Sequence, residues 1–435
     1  MSDVVGRPMP ASIRAPRQAG DAALAALALG AYVLSTIKFQ NRDPLSTDGG
    51  IQAIIEICAL GFGLAVAILV AIRRGAIPRV TPPAVGFAIF AGFAMLSSVF
   101  SYWPLLSVIK GSLLIVALAI AMLVCDALGP RRMLAHFYWT ICGLMVIGTC
   151  IKVLSGQPLF DMDDYSGRLR FTVFALHWGS LADLVALTIL VGRLLPRRPP
   201  WFCQLFLLCI NLATCARAST TVLLVILVVI PLCSRRLTAK HVAIGAFGLA
   251  GAALIALVAV NMQSSLSSIP FERFYGDKMT LEEIVSLNGR TDVWAESLPL
   301  VPGTLLFGYG MEGVRAALLR EVEWAGHAHN AYLELLFAAG LPGLLTFLVA
   351  WGMAAVTAWR TRTDTRVAVI GIYVYMFICG WTDPNLTLMQ YIPVFLIVCI
   401  DAHTREQASH EVQARAPLES PRTASLDLAW HRGTT

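Results

Sequence analysis

Two histidines and a carboxamide stand almost side by side at His327, His329 and Asn330, in the stretch Glu323-Trp-Ala-Gly-His-Ala-His-Asn-Ala-Tyr-Leu-Glu334. Imidazole is the side chain that exchanges protons near neutrality, and Asn330, Tyr332 and Glu334 add hydrogen-bonding groups beside it. The stretch closes a long polar loop and opens an apolar run from Ala331 to Trp359. Polar groups at the edge of hydrocarbon are costly unless they have partners or a task. Taken alone, these are interfacial histidines next to a helix-capping Asn. Arginines elsewhere in the chain argue for more.

Arg217 stands in Cys215-Ala-Arg-Ala-Ser-Thr-Thr221, between two apolar runs with almost no loop, and Ser219 or Thr220 can cap the run that follows. Arg290 stands in Leu287-Asn-Gly-Arg-Thr-Asp-Val-Trp294, where Asn-Gly signals a turn and Thr291 to Leu298 the start of an amphipathic helix. Arg168 and Arg170 follow the acidic residues Asp161, Asp163 and Asp164. Each is by itself a snorkelling or ion-paired arginine. Together they suggest an anion site, because guanidinium grips phosphate oxygens with a planar fork and stays charged throughout. No acidic cluster is dense enough to hold a divalent cation, so arginines can take that neutralising role and no cofactor or metal is called for.

The elements that must position these groups are membrane helices. Of 435 residues, 57% are hydrophobic and 14% charged, with a mean hydropathy of +0.70, whereas a soluble domain carries roughly 25% charged residues. The net charge of +6 is dispersed in short clusters between apolar runs, which reads as topology and excludes a nucleic-acid surface. The ten cysteines lie in or beside apolar runs without a CxxC, as buried small hydrophobes do.

The pattern predicts an all-α polytopic membrane protein of about twelve spans: 22–39, 51–72, 84–101, 105–125, 134–154, 172–192, 201–216, 219–234, 241–260, 330–358, 367–383 and 386–401. Tight turns at Ser101-Tyr-Trp-Pro104, Arg217-Ala218 and Pro384-Asn385 join three pairs into hairpins. The expected organisation is an N-terminal cytoplasmic tail 1–21, helices one to nine over 22–260, a periplasmic loop with amphipathic helices over 261–328, helices ten to twelve over 329–401, and a disordered cytoplasmic tail 402–435. In the loop, Ile269, Phe271, Phe274 and Tyr275 are expected to rest on the membrane surface. Basic residues crowd the N-terminal tail and every second loop (Arg7, Arg14, Arg17, Arg73, Arg74, Arg79, Arg131, Arg132, Arg193, Arg197, Arg198, Arg235, Arg236, Lys240, Arg360, Arg362, Arg366) and far outnumber those opposite. The positive-inside bias therefore places both termini in the cytoplasm and the His327–Asn330 stretch on the outer face. There Arg217 and the histidines each precede a helix whose positive N-terminal end faces outward, as an anion site requires.

Gly289-Arg-Thr-Asp-Val-Trp294, Leu306-Phe-Gly-Tyr-Gly310 and His327-Ala-His-Asn-Ala-Tyr-Leu-Glu334 with Gly340-Leu-Pro-Gly343 resemble, in order and spacing, the O-antigen ligases and Wzy-type polysaccharide polymerases. The resemblance implies an inner-membrane glycosyltransferase of the GT-C type that takes a glycan from undecaprenyl diphosphate on the periplasmic side, without metal and with inversion. It implies Arg217 and Arg290 as donor diphosphate ligands and His329 as base or acceptor-orienting group. His327, Asn330, Glu334, Trp294, Arg168 and Arg170 would support them. The Gly-Arg-Thr-Asp-Val-Trp form is closer to the exopolysaccharide branch, so the expected activity is polymerisation of repeat units, with ligation to lipid A-core as the alternative. The implied partners are the lipid-linked oligosaccharide, an acceptor glycan or lipid A-core, membrane lipids and polysaccharide export machinery. A transporter would show paired halves and ionisable groups at mid-span rather than at one end, and a flippase or scaffold would not need clustered arginines and histidines.

Overall fold

The computed structural model describes residues 19–37, 50–75, 78, 80–163, 168–174, 176–234, 290–321, 326–360, 365–384 and 391–415. The expected ninth span 241–260, the loop residues Ile269, Phe271, Phe274 and Tyr275, the turn at Asn385, and the basic residues Arg7, Arg14, Arg17, Arg79, Arg235, Arg236, Lys240 and Arg362 lie outside them.

Thirteen helices account for nearly all of the described chain: α1 Ala19–Ser35, α2 Gly50–Arg74, α3 Pro82–Ser97, α4 Pro104–Leu128, α5 Pro130–Leu154, α6 Trp178–Val191, α7 Trp201–Ala213, α8 Arg217–Ser234, α9 Arg290–Ser297, α10 Gly313–Glu321, α11 Ala331–Arg360, α12 Arg366–Thr382 and α13 Ile392–Arg415, with a single helical turn at Val301–Thr304. Prolines open α3, α4 and α5, where a missing N–H and a fixed φ suit the first turn. Five helices, α2 to α5 and α11, are long and apolar enough to cross a membrane, while α1, α7, α8 and α12 are apolar but shorter. The chain is a helical membrane protein.

One short hairpin stands apart from the helices: β1 (Phe160–Asp163) and β2 (Arg168–Phe171) are antiparallel, pairing Asp161 with Arg170 and Asp163 with Arg168. Its base is tied down by Lys152 Nζ, which donates to Asp161 Oδ2 at 2.7 Å and to Thr172 Oγ1 at 3.1 Å. Helix α13 runs past the expected end of the twelfth span at 401 and continues through Arg415. Polar residues there still make helix-stabilising pairs, such as Arg405 with Asp401 at 2.8 Å.

Lipid offers helices little hydrophobic reason to associate, so close approach through small residues matters. The densest seam, α3 on α11, shows this: a Cβ at Gly86 would lie 2.6 Å from that of Ala350, and Phe87 and Phe90 set their rings edge-on to Phe347 at 5.3 Å.

Helix α11 breaks at Gly340 (φ 69°, ψ −179°), and Pro342 follows. The break leaves two carbonyls without helical donors. Pro342 has no N–H for Ala338 O, and the Leu341 N–H turns away to Leu305 O at 2.9 Å. The Leu306–Gly310 loop satisfies both, with Tyr309 N donating to Phe337 O and Gly310 N to Ala338 O at 3.1 Å. Backbone meets backbone so closely that a Cβ at Gly308 would lie 2.5 Å from Phe337 O, and one at Gly340 2.6 Å from Leu306 O. The two glycine motifs are thus halves of one joint. On its other side the loop seats on the α3–α4 turn, where Glu312 N donates to Ser107 Oγ at 3.2 Å and Tyr309 stacks on Tyr102 at 5.7 Å.

Candidate functional site

The N-terminal ends of α6, α8 and α11 and the C-terminal end of α12 meet at one end of the bundle. Tyr332, in the first turn of α11, donates to Phe377 O on α12 at 2.8 Å and rests on Trp381. At the start of α6, the Asp383 carboxylate just past α12 lies where a Cβ of Gly179 would be 2.8 Å from it.

The His327–Asn330 loop is pinned at consecutive residues. Asn330 is the cap of α11: its Oδ1 accepts from Tyr332 N at 2.9 Å and Leu333 N at 3.2 Å. Glu334 reaches back so that Oε1 accepts from Ala328 N at 2.7 Å, and Trp294 on α9 donates from Nε1 to Ala328 O at 2.9 Å. Helix α11 begins at Ala331, so His329 lies just before the cap. Its backbone is left-handed (φ 48°), a conformation sparsely populated outside glycine but more accessible to His, Asn and Asp. The two histidine rings stand perpendicular, 6.4 Å apart. His327, half exposed, turns to the Glu334 carboxylate at 3.8 Å.

His329 lies within reach of the Arg290 charge. Burial, and then the positive charge of Arg290, lower the His329 pKa to about 4, so its imidazole is neutral at physiological pH. Arg290, at the first position of α9, is itself largely buried; desolvation pulls its pKa down, while the Asp383 and Asp183 carboxylates push it back up. Arginine remains charged through such opposition.

Arg217 opens α8, two residues after Cys215, whose backbone is left-handed (φ 55°). Its Nη2 is buried and finds no hydrogen-bond acceptor among the described residues. Ser219 and Thr220 do not cap α8, because both lie inside it. Thr220 Oγ1 donates to Asn211 Oδ1 at 2.9 Å, and Ser219 Oγ meets the Tyr375 hydroxyl at 2.6 Å. Tyr375 in turn donates to Asp183 Oδ1 at 2.6 Å. Arg170 lies buried beside the start of α6, its guanidinium 3.6 Å from the centre of the Trp178 ring. Arg168 shares the strand, opposite Asp163.

Residues 202–348, from α7 into α11, match the family model described as O-antigen ligase. Over that stretch the chain is similar to the O-antigen ligases. The curated "O-antigen ligase" of Pseudomonas aeruginosa is 24% identical over 139 residues, which is 29% of this chain and 35% of that protein. The chain thus spans about a third of the length of the curated relative it matches. The matched O-antigen ligase segment contains Arg217, Arg290, Trp294, His327, His329, Asn330 and Glu334.

Of the residues singled out in the sequence, the fold brings Arg290 and His329 together, and Trp294, Asn330 and Glu334 hold the loop that carries His329. Arg217 joins the same end through the residues that follow it, whereas Arg170 lies beside the start of α6 and Arg168 two residues earlier on β2. Sequence reasoning missed Asp183, Asp383 and Tyr375, all outside the stretch matching the O-antigen ligase family. Asp183 carried a signal: a lone carboxylate in the apolar run 172–192 marks a functional position by default. Tyr375 carried none, because a tyrosine in an apolar helix reads as core.

Proposed function

We propose that the protein transfers a glycan from undecaprenyl diphosphate to an acceptor sugar on the periplasmic face of the inner membrane, polymerising exopolysaccharide repeat units. The reading is carried by one observation: Arg290 lies close enough for its charge to help hold the half-buried His329 neutral, at the end of the bundle where Arg217 also begins its helix. The basic-residue bias supports placing that end outside, both termini in the cytoplasm, and about twelve spans in all.

In this reading the acceptor hydroxyl attacks the anomeric carbon as the carbon–oxygen bond to diphosphate breaks. The electron pair leaves on the diphosphate, where Arg290 and Arg217 stabilise the developing charge. The hydroxyl proton passes to His329. Attack from the face opposite the leaving group inverts the anomeric centre. A histidine with a pKa of about 4 is a weak base in the resting site. The arriving diphosphate offsets the Arg290 charge that holds it down, so basicity rises when the donor is in place. The arginines supply the charge neutralisation, and the reaction needs no metal. His327, Asn330, Glu334, Trp294, Arg168 and Arg170 support the site, and the polysaccharide export machinery receives the product.

A second reading, ligation of the glycan to lipid A-core, is favoured by the description shared by the matching family and the Pseudomonas aeruginosa relative. Purified protein in nanodiscs, supplied with undecaprenyl-diphosphate-linked oligosaccharide and excess EDTA, separates the two. Extended glycan on the lipid carrier is the expected product. Transfer only to added lipid A-core selects ligation, and no release of undecaprenyl diphosphate with either acceptor overturns both. Activity that returns only with magnesium or manganese overturns the arginine account of charge.

A further inference from the structure

Three polar side chains are buried together beneath the site. Asp183 of α6, Ser219 of α8 and Tyr375 of α12 are 5%, 5% and 1% exposed, and each comes from a different helix. An ionised carboxylate only accepts hydrogen bonds, so the single Tyr375 proton goes to Asp183 Oδ1, at 2.6 Å. Tyr375 has then no proton left for Ser219, and the 2.6 Å contact between their hydroxyls must be Ser219 donating to Tyr375. The chain therefore has one direction, Ser219 to Tyr375 to Asp183. Its start lies two residues after Arg217, in the same first turn of α8. Its end is a carboxylate whose charge acts on Arg290.

We infer that Tyr375 is a positioning residue, which fixes the first turn of α8 against α6 and so sets how Arg217 and Arg290 stand to one another across a bound diphosphate. The inference rests on the diphosphate reading above. An apolar contact tolerates sliding, but two short hydrogen bonds in series, the second ending on a buried carboxylate, do not, because breaking either strands a polar group in a dry interior. Small changes in arginine placement matter because a two-pronged grip is a matter of geometry as well as charge. Tyr375 is a poor candidate for chemistry itself. It is sealed from solvent and both of its hydrogen bonds are internal.

The test uses full-length protein in nanodiscs, with initial rates measured against lipid-diphosphate donor and acceptor separately. Tyr375→Phe keeps the ring and loses the hydroxyl. Loss of one buried hydrogen bond of this kind is expected to raise the donor KM about tenfold. The acceptor KM and kcat should stay within about twofold of the native values, since the reacting groups are intact. Ser219→Ala should reproduce the effect and Ser219→Thr, which retains a hydroxyl, should largely escape it. The double variant Ser219→Ala/Tyr375→Phe should be no worse than either single variant, because both break one chain. Unchanged donor KM in Tyr375→Phe and Ser219→Ala overturns the inference, as does full additivity. Arg290→Lys run alongside keeps the two levels apart. If Arg290→Lys raises the donor KM and Tyr375→Phe does not, only the positioning role fails; if Arg290→Lys changes neither kcat nor the donor KM, the diphosphate reading falls with it.

Discussion

At the scale of single residues, the account turns on the difference between two histidines two positions apart. His329 is more enclosed and lies in the field of Arg290, while His327 is half exposed and turned to Glu334. His329→Asn removes the imidazole and keeps a side chain that tolerates the left-handed backbone, so the loop should survive while kcat falls about 100-fold or more. His327→Ala should cost less than about tenfold, since its partner Glu334 keeps its bond to the Ala328 N–H. The pH dependence has a definite sign. With its pKa lowered to about 4, His329 in the free enzyme stays neutral as pH falls through the ordinary histidine value of 6.5. The His329 limb of kcat/KM should therefore stay flat to about pH 5, whereas the limb in kcat should lie higher, because bound diphosphate offsets Arg290. A kcat/KM limb near 6.5 that disappears in His329→Asn would contradict the burial of this ring. The residue types at the site were legible from the sequence because imidazole, guanidinium and carboxamide are rare beside apolar runs. Their grouping was not, since Arg290 meets carboxylates from α6 and from the end of α12, far away along the chain.

At the scale of elements, the helices were legible because apolar runs bounded by Pro and Gly have few alternatives in a membrane. The hairpin β1–β2 escaped notice because strands of four residues leave no periodicity to read. The glycine motifs were visible as motifs, but their purpose was not. The Leu306–Gly310 loop and the Gly340 break exchange hydrogen bonds that neither segment can complete alone. Gly340→Ala forces a side chain into a backbone conformation that is essentially restricted to glycine and against Leu306 O. It should lower stability by at least about 2 kcal/mol, seen as a fall in melting temperature of the detergent-solubilised protein. Melting at the native temperature would mean that the loop is not held by the break. Because the joint lies at the middle of α11, its loss should also loosen the segment leading from α10 to His329.

At the scale of the whole molecule, everything proposed depends on one end of the bundle facing the periplasm. In a cysteine-depleted background, a cysteine at Glu321, next to the site end, should react with a membrane-impermeant thiol reagent in intact spheroplasts. A cysteine at His410, on α13 beyond the opposite end, should not. The reverse pattern would put the arginines on the wrong side for a lipid-linked periplasmic donor. The expected orientation rests on the distribution of basic residues, a property of the chain as a whole, and the labelling decides it. The polar wiring under the site was not, because a hydroxyl on Tyr375 and a carboxylate on Asp183 acquire meaning only when three helices bring them together. The central claim is that two arginines grip a diphosphate with planar forks. It is tested most directly by Arg217→Lys and Arg290→Lys, which keep the charge and lose the fork, assayed for release of undecaprenyl diphosphate from the lipid-linked donor at matched levels of inserted protein. The account predicts a loss of about 100-fold or more in kcat/KM for each. Near-native release from both variants would contradict it.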